Sequence, residues 1–176
     1  MKDGAAVLRN PLVRALLLFA ALMAVGLATR FPALQLPQLY ALHGVLAAPF
    51  FSTIALLHFE RGGGVGSLLA ATLAVAGVLG AMSAVMGLSF VLLAVGLLGV
   101  RGLTRAFVCA RRDAVCATVF GALDYPCALG AGIVLGSYGF APESVLTMLL
   151  LAALATGLSL LGALLVMRGE PRGGWG

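Results

Sequence analysis

Asp124 and His43 are the residues of this sequence that could carry acid–base chemistry in apolar surroundings. Asp124 lies in the mostly apolar stretch 114–135, and His43 lies in the mostly apolar stretch 39–57. An ionisable side chain in such surroundings is costly, so it contacts a ligand or a proton path, or it holds neighbouring helices together. We predict that Asp124 and the adjacent Tyr125 contact a ligand, and a purely structural Asp124 is the alternative. Pro126 lacks a backbone donor, which predicts a kink that frees carbonyls toward a cavity.

A polar cluster precedes the second apolar stretch. It consists of Gln35, Gln38, Tyr40 and His43, and it predicts ligand contact, with an interfacial His43 beside water as the alternative. Arg30 lies just before the cluster, where it could meet an anionic ligand or anchor a helix at the lipid headgroups.

The positions of His43 and Asp124 predict different depths in a membrane. His43 is about four residues from the outer end of its apolar stretch, which corresponds to about 6 Å along a helix. Asp124 is about eleven residues from the outer end of its own stretch, or about 17 Å. We therefore do not expect direct contact between the two side chains, although one ligand could span the gap.

No signature of a soluble enzyme is present. The sequence lacks a Walker A motif, GxSxG, HExxH and CxxC, so we expect no ATP hydrolysis by a P-loop mechanism. Cys109, Cys116 and Cys127 have no metal-ligand spacing and are interpreted as packing residues. The two histidines, His43 and His58, lie at opposite ends of one predicted helix with no third histidine to pair with, so haem is not expected. We expect no metal and no cofactor.

Composition indicates a membrane protein. The chain is 62% hydrophobic and only 10% charged, whereas soluble domains carry about 25% charged residues. The net charge of +5 does not indicate nucleic-acid binding, because the basic residues lie between apolar blocks rather than on a polar face. The first apolar run has no clear cleavage site followed by a polar chain, so it is interpreted as a retained helix rather than a signal peptide.

Segment lengths predict six transmembrane helices in one domain covering residues 1–176. A helix needs about 20 apolar residues to cross the hydrocarbon core. The stretch 65–100 would be about 54 Å long as one helix, nearly twice the core thickness, so it should fold back, with a turn between Ser83 and Ser89. The predicted spans are about 12–29, 39–57, 66–83, 87–100, 114–135 and 145–167.

The distribution of basic residues predicts the orientation. With six spans and both termini in the cytoplasm, ten of the eleven basic residues lie on the cytoplasmic side, and only Arg30 lies outside. Five spans would move Arg101 to Arg112 outside, against the positive-inside rule.

Small residues on the first predicted helix suggest a partner. Ala20, Ala24 and Ala28 are spaced four apart, which allows close approach of another helix. The chain resembles the substrate-binding S component of energy-coupling factor (ECF) transporters. The resemblance lies in this alanine spacing, in the size of the chain, in the six helices and in the cytoplasmic termini. The resemblance covers the whole chain but includes no signature of a particular substrate.

The resemblance implies a function and partners. It implies uptake of a vitamin-like small molecule across a bacterial or archaeal cytoplasmic membrane, energised by separate ABC-type ATPases. It further implies that Ala20, Ala24 and Ala28 contact a transmembrane coupling subunit, and that the outer loop 30–38 closes over the substrate. A membrane-embedded enzyme using Asp124 or His43 as acid or base, a structural subunit of a membrane complex, and an autonomous proton-coupled transporter are the alternatives.

Overall fold

Six helices make up the part of the chain that the structure, a computed structural model, describes. That part covers residues 10–35, 42–106, 111–137 and 145–169, with only the backbone described for residues 30–35, 106 and 169. The helices are α1 (Pro11–Gln35), α2 (Leu42–Glu60), α3 (Val65–Met82), α4 (Ala84–Ala106), α5 (Arg112–Val134) and α6 (Val145–Gly169). Each contains a segment long and apolar enough to cross a membrane, which confirms the predicted all-helical architecture with six helices able to span a bilayer.

Two helix boundaries differ from the prediction. The apolar segment of α1 ends at Thr29 as expected, but the helix continues through Pro32 to Gln35. A proline near the end of a helix removes only one backbone hydrogen bond, so Pro32 does not stop α1. The turn between α3 and α4 is the single residue Ser83, with an extended backbone at φ −157°. Because this turn is so short, α4 begins at Ala84 rather than at residue 87, and it continues to Ala106.

Two glycines allow the sharp turn between α3 and α4. A Cβ atom added to Gly87 would lie 2.6 Å from the Cα atom of Gly80 and 3.2 Å from the carbonyl oxygen of Ala76. The two backbones are therefore in contact close to the turn. Gly87, which we expected to belong to the turn itself, instead packs the two helices together.

Arginine side chains collect at one end of the bundle, which we call the basic end. Arg14 at the start of α1 donates to the carbonyl of Arg61 at the end of α2. Arg101 near the end of α4 forms a 3.3 Å ion pair with Asp113 at the start of α5. The described cationic side chains at this end are Arg14, Arg61, Arg101, Arg105, Arg111, Arg112 and Arg168. Arg30 belongs to the opposite end of α1. The contacts from Arg14 to Arg61 and from Arg101 to Asp113 make α1 antiparallel to α2 and α4 antiparallel to α5.

The helices α2 and α5 form the centre of the bundle. Helix α2 packs against α1, α5 and α6, and α5 packs against α2, α4 and α6, whereas α1 and α3 pack against each other at one side. Phe51 of α2 lies between Phe90 of α4 and Phe120 of α5, with ring centroids 5.9 and 6.1 Å away. All three rings are buried, so these aromatic contacts join α2, α4 and α5 in one apolar core.

Small residues bring α2, α5 and α6 together in what we call the three-helix contact. A Cβ atom on Gly121 of α5 would meet the carbonyl oxygen of Ala48 and the hydroxyl of Ser159, and a Cβ atom on Gly162 of α6 would lie 2.5 Å from the carbonyl oxygen of Pro49. The hydroxyl of Ser52 donates to the carbonyl of Ser159 at 2.7 Å. The hydroxyl of Ser159 in turn donates to the carbonyl of Thr118. Hydrogen bonds thus run from α2 to α6 and from α6 to α5 within one tightly packed layer.

Replacing Ser159 with alanine should weaken the three-helix contact. The variant loses the bond to Thr118, and we expect the free energy of unfolding to fall by roughly 0.5 to 1.5 kcal/mol, measured by SDS-induced unfolding in mixed micelles. Thr156→Ala is the matched control, since that exposed hydroxyl donates to Ala152 within its own helix. Equal destabilisation by both variants would show that the bond between helices contributes nothing.

Candidate functional site

His43 and Asp124 lie beside a close contact between the backbones of α2 and α5. A Cβ atom added to Gly44 would lie 2.6 Å from the Cα atom of Tyr125 and 2.8 Å from its backbone nitrogen. His43 precedes Gly44, and Asp124 precedes Tyr125, so each residue is one position from a backbone contact between the two helices. The two ionisable residues therefore lie at the same level of the bundle.

This arrangement overturns the predicted difference in depth between His43 and Asp124. Asp124 follows the first residue of α5 by twelve positions and precedes the last by ten, or about 18 and 15 Å along the helix. The described part of α2 begins at Leu42, next to His43. The prediction was wrong because it measured each residue from the end of its own apolar stretch, whereas packing places Gly44 of α2 against Tyr125 in the middle of α5.

Both residues are buried. The exposed fraction is 1% for His43 and 1% for Asp124. His43 is therefore a residue of the protein interior. Tyr125 is also buried and packs with Val45, Ala48 and Ala155, which makes the surroundings apolar. A carboxylate in such surroundings interacts strongly with any opposite charge that reaches it, because the local dielectric constant is low.

Two prolines add hydrogen-bond acceptors near this level. Pro49 in α2 and Pro126 in α5 lie inside their helices. Each lacks an N–H group, so the carbonyl four residues earlier loses its usual helical donor. Those carbonyls belong to Val45, two positions after His43, and to Ala122, two positions before Asp124. Both helices continue through their prolines, and the kink at Pro126 that would turn carbonyls toward a cavity stays a prediction.

The buried serine and threonine hydroxyls of the described residues donate to backbone carbonyls. Ser52 donates to Ser159 at 2.7 Å, Thr72 donates to Leu68 at 2.8 Å, and Ser89 donates to Met86 at 2.8 Å. The bond from Ser52 joins α2 to α6, whereas the other two bonds lie within a single helix. Among the buried polar side chains of the described residues, His43 and Asp124 are the ones that carry an imidazole and a carboxyl group rather than a hydroxyl.

The other predicted ligand contacts lie outside the described side chains. Gln38 and Tyr40 fall in the undescribed segment between α1 and α2. Arg30 and Gln35 belong to the last turns of α1, where only the backbone is described. Their contribution to a site stays a prediction.

The predicted partner residues Ala20, Ala24 and Ala28 are exposed along the outer side of α1. The buried residues of the same helix are Leu18, Leu22 and Gly26, each two positions earlier. Two positions correspond to about 200° around a helix. The alanines therefore face away from the bundle, and their contact with another protein stays a prediction.

Two further rows of small residues, one in α2 and one in α6, have the same spacing and were not predicted from the sequence. Gly44, Ala48 and Ser52 are four apart in α2, and Ala155, Ser159 and Ala163 are four apart in α6. All six are buried at contacts between helices. The spacing was visible in the sequence and would have indicated that α2 and α6 are central.

No grouping suited to a metal ion occurs in the described part of the chain, because no three His, Cys, Asp or Glu side chains come together there.

Comparisons with protein families, with curated proteins and with solved structures find no match to this chain. The resemblance to S components therefore depends on the residues and the helix arrangement alone.

Replacing Gly44 with alanine should push α2 away from α5 beside His43 and Asp124. The new Cβ atom would meet backbone atoms, which cannot rotate aside, and such overpacking costs about 1 to 3 kcal/mol. We expect this loss in SDS-induced unfolding. In Gly130→Ala of α5, the nearest atom would be a side-chain carbon of Leu92 at 3.9 Å, so this control should keep or slightly raise stability. An unchanged Gly44→Ala variant would contradict the close contact.

Proposed function

We propose that the protein is the membrane-embedded substrate-binding subunit of an uptake system for a small organic molecule. Separate ABC-type ATPases and a transmembrane coupling subunit would supply the energy. The observation that carries this proposal is the position of His43 and Asp124, both buried at mid-depth between two central helices. Ionisable residues at such depth typically mark substrate or ion paths.

The basic end supports an orientation with both termini in the cytoplasm of a bacterial or archaeal membrane. Cytoplasmic loops of membrane proteins carry an excess of arginine and lysine, and the described arginine side chains cluster at this end. In that orientation Arg30 and the start of α2 face the outside. His43 would then be the innermost member of the predicted outer polar cluster that begins at Gln35.

The lengths of α5 and α6 support access from the outside. Tyr125 and Ala155 pack in one cluster with Val45. From these two residues, α5 continues to Val134 and α6 extends back to Val145, or about 15 Å toward the outer end in each helix. A substrate that entered between the outer halves of α5 and α6 would therefore reach the level of His43 and Asp124 after about 15 Å.

The outer side of α1 supports the proposed coupling subunit. Ala20, Ala24 and Ala28 are exposed, so the small side chains in this row are available to another helix. Contact through these residues at the edge of the bundle would leave the three-helix contact undisturbed. The subunit could then reorient as a rigid body while its partner moves.

Affinity purification from native membranes tests the proposed partners. We expect the wild-type protein to recover ABC-type ATPases, and Ala24→Leu to recover them roughly five- to a hundredfold less well, because overpacking an interface costs about 1 to 3 kcal/mol. Ala153→Leu is the matched control, since Ala153 is exposed on α6. Recovery of the wild-type protein without any ATPase would overturn the proposal.

A membrane-embedded enzyme is the second candidate, favoured by the shared level of His43 and Asp124. An acid and a base on adjoining helices could transfer a proton to and from a bound lipid. This candidate predicts that the purified protein alone converts a component of a membrane-lipid extract, detected by mass spectrometry. It also predicts that His43→Gln and Asp124→Asn both abolish the conversion.

A further inference from the structure

We infer that the α4–α5 side of the basic end binds the headgroup of an anionic phospholipid. The surface consists of Arg101 and Arg105 near the end of α4 and of Arg111 and Arg112 at the start of α5, and we call it the arginine surface. This inference goes beyond the proposed function and does not depend on it, because it concerns the basic end and not the candidate site.

Two contacts hold the end of α4 beside the start of α5. Arg101 forms its 3.3 Å ion pair with Asp113, and one turn further along, the hydroxyl oxygen of Thr104 lies 3.7 Å from the sulfur atom of Cys116. Both contacts join the last turns of α4 to the first turns of α5, so the two helix ends are adjacent.

This contact brings four arginines together. Arg105 follows Arg101 by four residues, so it lies about 6 Å further along the same face of α4. Arg111 and Arg112 directly precede Asp113, the residue that pairs with Arg101. The arginine surface is therefore made by two neighbouring helices rather than by one stretch of chain.

Positive charge predominates on the arginine surface. Residues 101–113 contain four arginines and one aspartate, which gives this stretch a net charge of +3. The aspartate, Asp113, is 58% exposed and meets Arg101 through one contact, and such exposed ion pairs contribute little. Arg112 is half-buried, and its Nε atom has no hydrogen-bond acceptor among the described residues. Like charges so close together repel, so a phosphate that meets several of them is favoured.

The position of the arginines along the helices suits a lipid headgroup. The apolar segment of α4 that could cross a membrane ends at Arg105, and that of α5 begins at Arg112. Arginines at the ends of such segments reach the level at which the hydrocarbon core gives way to the headgroups. Basic residues at this level attract anionic lipids.

Exposed aliphatic side chains lie one turn deeper than the arginines. Leu98 precedes Arg101 by three residues and Arg105 by seven, on the same face of α4, and it is 51% exposed. Val115 follows Arg112 by three residues on α5 and is also exposed. A phospholipid matches both features, with its phosphate at the arginines and its acyl chains at the aliphatic groups. An acidic peptide would match only the arginines.

Native mass spectrometry of the purified full-length protein in detergent tests this inference. The protein is mixed with equal amounts of phosphatidylglycerol and phosphatidylcholine that carry the same acyl chains, and choline balances the phosphate charge of the second lipid. We expect the wild-type protein to prefer phosphatidylglycerol roughly thirtyfold. The preference should nearly disappear in Arg105→Gln/Arg112→Gln, because each arginine near a membrane surface contributes about a factor of five.

Arg61→Gln/Arg168→Gln is the matched control. It removes the same charge from the same end of the bundle, at exposed residues outside α4 and α5, so it should keep most of the preference. Arg105→Gln alone changes one exposed residue and should lower the preference about fivefold. This single variant decides the question if the double variant at Arg105 and Arg112 fails to fold.

Four results would overturn the inference. Equal binding of both lipids by the wild-type protein would show that no anionic headgroup is selected. Equal losses in the two double variants would assign the preference to the whole basic end rather than to the arginine surface. Displacement of phosphatidylglycerol by inorganic phosphate would indicate a site for a free anion, and displacement by polyglutamate would indicate an acidic protein partner. None of these results bears on the proposed uptake function.

Discussion

The close backbone contact among α2, α5 and α6 is the interaction on which the arrangement of this protein depends. Lipid tails are as apolar as leucine side chains, so helices in a membrane associate through close packing and hydrogen bonds rather than by expelling water. Gly44, Gly121 and Gly162 allow that packing, because a Cβ atom at any of them would meet backbone atoms of a neighbouring helix. Ser52 and Ser159 add hydrogen bonds between helices in the same layer.

This contact also determines where the candidate site lies. Gly44 sets α2 against the middle of α5, and that register brings His43 to the level of Asp124. A helix that met α5 several residues nearer its end would leave the histidine closer to the membrane surface. The site is therefore a consequence of packing, and the same small residues that stabilise the bundle bring its two buried ionisable groups together.

The edge of the bundle differs from its centre. Helix α1 contacts α2 and α3 on one side and exposes Ala20, Ala24 and Ala28 on the other. A helix so placed can bind a partner without disturbing the central contact. The proposed coupling subunit and the proposed substrate would thus use different parts of the molecule, the first at the edge and the second between the central helices.

The sequence by itself determined the six spans and the basic end, because segment length, apolar composition and the position of arginines are properties of each segment alone. It also revealed Asp124 and His43 as unusual. It could not determine that they share a level, since this depends on the register of α2 against α5. Nor could it distinguish the outward row at Ala20, Ala24 and Ala28 from the buried rows in α2 and α6. The spacing is the same in all three, and only the neighbours that a helix acquires in the tertiary structure decide which row is covered.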